Sequence, residues 1–163
     1  MKHIYYGDGK GKTTAAIGLA VRAAGSKMKV LFVQFLKTEF SGENVTLTFC
    51  PLELKFTFDM DDKEKAQAAK IFKGIFDNAV TTALTEKYDM VVLDEVFEAI
   101  NAHMLSESEV YEFITNAPSS MEIVMTGHNP PQKFMDCADY ITEFKKIKHP
   151  YDRGITGRIG IEF

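Results

Sequence analysis

The sequence predicts an α/β fold in which a mostly parallel central sheet is covered by helices on both faces. Three observations carry that expectation. Short apolar runs alternate with helical stretches along the chain. Several of those runs are almost continuously apolar, which suits strands buried on both faces. A glycine-rich loop joins the first run to the first helical stretch. The 163 residues are 45% hydrophobic and 26% charged, enough for one soluble unit that buries about two-thirds of its unfolded surface without a disulfide or metal staple. No repeat, low-complexity stretch or linker interrupts residues 1–163, so the whole chain reads as one domain.

The elements follow in order. His3 to Tyr6 is a strand that ends in glycines. Thr13 to Ala24 is rich in Ala and Leu, and closes at Gly25, a residue suited to the position past a helix end. Val30 to Phe35 is a second buried strand. Residues 41 to 60 mix polar turns with two alternating pieces, Val45 to Phe49 and Leu54 to Phe58. From Asp61 to about Lys87 the pairs Ile71/Phe72, Ile75/Phe76, Ala79/Val80 and Ala83/Leu84 paint one apolar stripe, so this long helix packs on the sheet. Asp89 to Asp94 is a strand. Ser106 with Glu109 makes a capping box for a helix running to about Asn116. Glu122 to Thr126 is a strand, Pro130-Pro131 opens a short helix, and Tyr140 to Ile147 and Arg158 to Phe163 are expected as closing strands. Such a sheet carries its sites at the C-terminal ends of the strands.

Composition narrows the function. Net charge is −4, from 19 Lys+Arg against 23 Asp+Glu. The only arginines are Arg22, Arg153 and Arg158, which argues against a broad nucleic-acid face. The longest apolar run in a strand-like segment is Met90 to Leu93, far short of the roughly 20 residues that cross a bilayer. The glycine loop begins at Gly7, leaving no room for the apolar core of a signal peptide, and a cytoplasmic protein is expected. Cys50 and Cys137 match neither a zinc pair nor a redox C-x-x-C, and read as small buried hydrophobes. The methionines are scattered as core filler. His3 and His103 have no metal-ligand spacing and receive no role. Glu98 reads as a solvated side chain.

The chemistry concentrates in Gly7-Asp8-Gly9-Lys10-Gly11-Lys12-Thr13-Thr14. Glycines let the backbone fold tightly so that N–H groups converge on phosphate oxygens, and the following helix aims its positive end at the same place. Lys12 adds a full charge, and the Thr13 hydroxyl suits a magnesium ion bridging the outer phosphates. The blander alternative is a glycine-rich turn with incidental lysines, but the strand-to-helix context favours phosphate. The spacing G-x-x-x-x-G-K-[ST] would put its first glycine where this chain has Tyr6, so the loop is one residue short. A dinucleotide fingerprint fails, because Lys12 occupies the third glycine position.

Met90-Val91-Val92-Leu93 delivers Asp94 and Glu95 to the end of a strand. In phosphate-loop proteins such a strand supplies the acid that holds magnesium. Alone, any buried strand ending in Asp-Glu would look similar; beside Lys12-Thr13 it points to a nucleoside triphosphate with Mg²⁺. No guanine-reading N-K-x-D occurs, which favours ATP.

These residues resemble the phosphate-loop type of ATP:corrinoid adenosyltransferase. The resemblance runs from Tyr5 to Phe163. It rests on the shortened loop Gly7 to Ala16, Val33-Gln34-Phe35-Leu36-Lys37, Gly42-Glu43, Phe56-Thr57-Phe58, Asp89 to Glu95, Thr126-Gly127, Ala138-Asp139 and Lys148-His149-Pro150-Tyr151-Asp152-Arg153-Gly154. It implies a three-layer, RecA-like P-loop NTPase fold. It also implies transfer of the 5′-deoxyadenosyl group of ATP to Co(I) of a corrinoid with release of triphosphate, from a homodimer, with a flavoprotein as a source of electrons. On this resemblance Gly7, Asp8, Gly9, Lys10, Gly11, Lys12, Thr13, Thr14, His149, Asp152 and Gly154 bind the nucleotide. Thr13, Asp94 and Glu95 serve the metal, and Lys12, Phe56 and Phe58 carry the catalysis. His149 by itself reads as a packing or hydrogen-bonding residue, and Phe56 and Phe58 as core-facing; the resemblance turns both readings towards ligands. Three positions depart from the family pattern. The first strand starts almost at Met1, so the N-terminal extension that can cover the corrinoid is expected to be missing. His128 follows Thr126-Gly127 where the family has arginine, and Phe58 stands where tryptophan is usual. A phosphate-loop ATPase or small-molecule kinase and an ATP-sensing module are the competing readings.

Overall fold

The computed structural model describes residues 1–35, 47–49, 61–158 and 160–161. In chain order the elements are β1 (Lys2–Tyr6), α1 (Lys12–Gly25), β2 (Val30–Gln34), β3 (Leu47–Phe49), α2 (Asp62–Thr85), β4 (Met90–Asp94), α3 (Val96–Asn101), α4 (Glu107–Asn116), β5 (Glu122–Gly127), α5 (Gln132–Cys137) and β6 (Tyr140–Glu143). A 3₁₀ turn follows at Pro150–Arg153. The six strands form one sheet in the order β3-β2-β4-β5-β1-β6, and each recorded pairing is parallel.

Alternation along the strands builds two cores. Val30, Phe32, Met90, Val92 and Val124 point to one face, where Ala16, Ala20 and Ala23 of α1 meet them. The small alanines recur at helical spacing and let α1 lie close to the sheet. Leu31, Val33, Val91, Leu93, Ile123 and Met125 point to the other face. There they meet α2 through Ala68, Phe72, Phe76, Ala79 and Ala83, together with Val96, Phe97, Val110, Ile114 and Phe134 from α3, α4 and α5. The result is the three-layer α/β arrangement expected. Removing a ring such as Phe72, which is fully buried, would cost about 3–5 kcal/mol.

Several expectations are corrected. Helix α3 is an extra element, hidden in the sequence because four of its six residues are buried apolar ones and leave no polar face to betray a period. The strand expected over Tyr140 to Ile147 stops at Glu143, because the chain bends there onto the glycine loop. The strand expected over Arg158 to Phe163 is absent among the described residues: 155–158 have no regular structure, and Gly160 turns the chain at φ 75°. Helix α2 opens on a reciprocal cap in which Asp61 Oδ1 accepts the Glu64 N–H and Glu64 Oε2 accepts the Asp61 N–H. Cys137 is half-buried, and burial pushes its thiol up. Met90, Met104, Met121 and Met125 are buried core residues as expected. The expected strand Leu54 to Phe58, and with it Phe56, Phe58 and Cys50, lies outside the described residues.

The parallel register sets the site. Tyr6 pairs with Gly127 and Glu143, and Gln34 pairs with Asp94. The ends of β1, β2, β4, β5 and β6 therefore all fall on one edge of the sheet.

Candidate nucleotide site

The glycine loop leaves β1 at this edge. Gly7 and Gly11 take φ of 113° and 115°, values that side chains rarely tolerate. The Gly7 N–H donates to the Gly127 carbonyl at 3.3 Å, and the Gly9 N–H donates to the Phe144 carbonyl at 2.6 Å. A Cβ on Gly7 or Gly9 would sit 2.5 or 2.6 Å from that Phe144 oxygen. These two glycines therefore admit the chain that leaves β6, a role the sequence reading had not separated from phosphate approach.

Lys12 folds back over the loop. Its Nζ donates to the carbonyls of Gly7 at 2.7 Å and Gly9 at 3.1 Å and lies 3.4 Å from His128 Nε2. Burial pushes the ammonium below its ordinary range, and the carboxylates of Glu98, Glu95, Asp8 and Asp94 pull it back up. The first turn of α1 contains no acid, and its cap residue Gly11 offers no side chain. The positive end of the helix is thus left for an anion.

A cavity of about 720 Å³ opens over the loop. It gathers eight of the residues expected at the site: Gly9, Lys10, Gly11, Lys12, Thr13, Thr14, Glu95 and His149. His128, Tyr151 and Arg158 also line it. Among the other described candidates, Asp8 and Asp152 are tied to each other through Lys146. Asp8 Oδ1 accepts the Lys146 N–H at 2.9 Å, and Asp152 Oδ1 accepts Lys146 Nζ at 2.9 Å, so one lysine fastens the tail to the loop. That bond holds the Asp8 carboxyl below its ordinary range. His149 Nδ1 accepts the Tyr151 N–H at 3.2 Å and caps the 3₁₀ turn, which Gly154 ends at φ 74°.

The two acids at the end of β4 are divided in role. Asp94 is buried; its Oδ1 accepts the Thr126 hydroxyl at 2.7 Å and its Oδ2 accepts Gln34 Nε2 at 3.2 Å. The same Thr126 oxygen accepts the Glu95 N–H at 2.9 Å. This bond holds Glu95 in the left-handed conformation, φ 59°, from which it reaches the cavity wall. A positive φ in a glutamate costs about 1–3 kcal/mol and is the kind of strain that collects at working sites. No group of three or more His, Cys, Asp or Glu residues is placed to hold a metal among the described residues. A cation here would depend on ligand oxygens and water as well as on protein.

Glu98 is not the solvated side chain expected. Its Oε1 accepts the His128 backbone N–H at 2.9 Å and also meets His128 Nδ1, while Oε2 is buried without a hydrogen-bond partner. Sequence reasoning missed Glu98 because α3 was not foreseen. His128 stands out in the sequence as the residue that follows Thr126-Gly127 in place of the family's arginine.

A glycine loop entering a helix from a parallel strand, with a lysine over the loop and an acid from another strand end facing it, defines a phosphate-loop nucleotide-binding protein. Within that class, the family described as ATP:corrinoid adenosyltransferase BtuR/CobO/CobP matches residues 1–163, and the chain belongs to it. The chain is 32% identical to the corrinoid adenosyltransferase of Escherichia coli strain K12, across 98% of this chain and 84% of that protein. It is 31% identical to the Salmonella typhimurium corrinoid adenosyltransferase CobA, with the same coverage. It is also 31% identical to a Pseudomonas aeruginosa corrinoid adenosyltransferase, across 98% of this chain and 82% of that one. Among the described residues no helix is long and apolar enough to cross a membrane.

Proposed function

We propose that this chain transfers the 5′-deoxyadenosyl group of ATP to Co(I) of a corrinoid and releases inorganic triphosphate, in the synthesis or salvage of adenosylcobalamin. The observation that carries the reading is the shortened phosphate loop, which opens with Glu95 and the tail from His149 to Arg158 into one cavity. In this reaction the electron pair of Co(I) forms the Co–C5′ bond. The C5′–O bond breaks, and the triphosphate leaves with that bond's electrons. No general base is required; the protein must stabilise charge developing on the leaving group. Lys10 and Lys12, the N–H groups at the start of α1 and the Thr14 hydroxyl are suited to that task.

Mg²⁺ would be held by the Thr13 hydroxyl and the Glu95 carboxylate, both on the cavity wall, with the buried Asp94 next to Glu95 at the end of β4. These are hard oxygen donors, and two protein donors leave room for the waters and phosphate oxygens that magnesium retains. When bound, the ion neutralises charge on the leaving phosphates. His149 contacts the nucleotide, with Asp152 and Gly154 shaping its turn and Gly7 and Asp8 supporting the loop. Phe56 and Phe58 press on the corrinoid and exclude its lower axial ligand, which eases reduction of Co(II). The chain acts as one domain, as a homodimer in the cytoplasm, with a flavoprotein as electron donor.

A spectrophotometric assay with ATP and chemically reduced corrinoid tests the reading. Adenosylated corrinoid and triphosphate in equal amounts are the expected products. ADP would indicate a kinase or ATPase, and binding without turnover an ATP-sensing module.

A further inference from the structure

Lys12 and His128 meet head to head at the cavity wall, and Glu98 arranges the meeting. Glu98 Oε1 accepts both the backbone N–H of His128, at 2.9 Å, and the ring Nδ1–H. A carboxylate can only accept, so the ring proton sits on Nδ1. His128 Nε2, 3.4 Å from Lys12 Nζ, then offers its lone pair to the ammonium. Lys12 thereby has an acceptor for each of its three protons: Gly7 O, Gly9 O and His128 Nε2. Glu98 Oε2, by contrast, is enclosed beside Gly127 and the Phe97 side chain with no partner. A half-satisfied carboxylate gains most from a full positive charge on the one group that it holds.

An incoming polyphosphate changes these partners. When Lys12 turns towards phosphate oxygens, Nε2 is left facing an anion with a bare lone pair, which is repulsive. One proton at Nε2 converts the ring into an imidazolium that donates to phosphate on one side and to Glu98 on the other.

We propose that His128, oriented by Glu98, contacts the triphosphate of ATP and takes up one proton at Nε2 as the nucleotide binds. The assignment rests on the reading that this cavity holds ATP. The charged groups that face the ring are Glu98 from α3, Lys12 from the head of α1 and Asp8 from the glycine loop, with Glu95 from the end of β4 on the same wall. The proton comes from solvent and returns to it when triphosphate leaves. His128 touches the substrate; Glu98 is a positioning residue that acts through it. Histidine is the side chain whose ordinary titration spans neutral pH, so ATP affinity should fall as pH rises through that region.

The test is calorimetric titration with ATP near neutral pH, in two buffers of unlike ionisation enthalpy, run on wild type, H128N, H128R and E98Q. The γ-phosphate itself exchanges protons, so the quantity read is the uptake of wild type in excess of H128N. Wild type should show an excess of a sizeable fraction of a proton, and H128N should bind ATP about tenfold more weakly at about pH 6. H128R, a permanent cation, should bind tightly with no excess uptake. E98Q keeps an acceptor for the backbone N–H but not the charge, so it should show less uptake and a pH profile moved to lower pH. Equal uptake in wild type and H128N overturns the proposal, as does an unmoved profile in E98Q. If wild type binds no ATP, the cavity assignment falls and takes His128 with it. If wild type binds ATP and adenosylates corrinoid with no excess uptake, only the role of His128 is lost.

Discussion

The Gly9 N–H donates to the Phe144 carbonyl at 2.6 Å, and a side-chain carbon added to Gly9 would lie 2.6 Å from the same oxygen. The loop that faces the cavity and the chain that leaves β6 are therefore packed backbone to backbone. Gly9→Ala should displace that segment, cost about 1–3 kcal/mol of stability and raise the KM for ATP. Gly18, inside α1, has nothing within 4 Å of an added carbon. Gly18→Ala should instead stabilise by about 0.5–1 kcal/mol through helix propensity. Thermal melts of the two variants would check the contrast; equal destabilisation would count against the close packing.

Lys12 Nζ donates to two carbonyls of its own loop and meets His128 Nε2 at 3.4 Å. Lys12→Ala should lower ATP-dependent turnover by about a hundredfold or more, with the folded state retained by circular dichroism. Turnover near that of wild type would remove Lys12 from the phosphate site.

Asp94 and Glu95 are adjacent in sequence but differ in burial, so carboxamides at the two positions should behave differently. Glu95→Gln should raise the magnesium concentration needed for half-maximal activity while leaving the melting temperature unchanged. Asp94→Asn places an N–H₂ against Gln34 Nε2 or Thr126 in a dry site, and should cost about 1–3 kcal/mol. A magnesium titration unaltered in Glu95→Gln would make that residue structural.

The Lys146 N–H holds Asp8 ionised, so the folded-state titration of Asp8 lies below its ordinary value of 3.8. A carboxylate lowered on folding stabilises above its unfolded value, and that contribution is lost as pH falls through the folded one. The loop-to-tail bond should accordingly survive past the ordinary carboxylate range and release only below it. The Lys146 amide chemical shift, followed by NMR down the acid limb, should show a midpoint under 3.8 that vanishes in Asp8→Asn. A midpoint at or above 3.8 would falsify the assignment.

Phe56→Ala and Phe58→Ala should impair the assay that starts from Co(II) far more than one supplied with pre-reduced Co(I), with little change in ATP affinity. Equal losses in both assays, or failure to fold, would place the two rings in the core instead.

Much of this protein is legible in its sequence because the signals are local. Buried strands such as Val30 to Gln34 and Met90 to Asp94 announce themselves by continuous apolar character. The glycine loop, Lys12, Thr13 and the Asp94-Glu95 pair lie within a few residues of an element end, where backbone geometry already limits what they can do. Paired apolar residues at helical spacing likewise marked α2. Tertiary structure alone decided what depends on distant segments meeting. It ended β6 at Glu143, because Phe144 and Lys146 bond to Gly9 and Asp8 across more than a hundred residues of chain. It also sank Asp94 between Thr126 and Gln34 while turning Glu95 outward. It drew Glu98 from an unforeseen helix to His128 at the end of β5. No period or spacing encodes these contacts, since each joins groups whose separation along the chain is arbitrary, and only the parallel register of the sheet brings their strand ends to one edge.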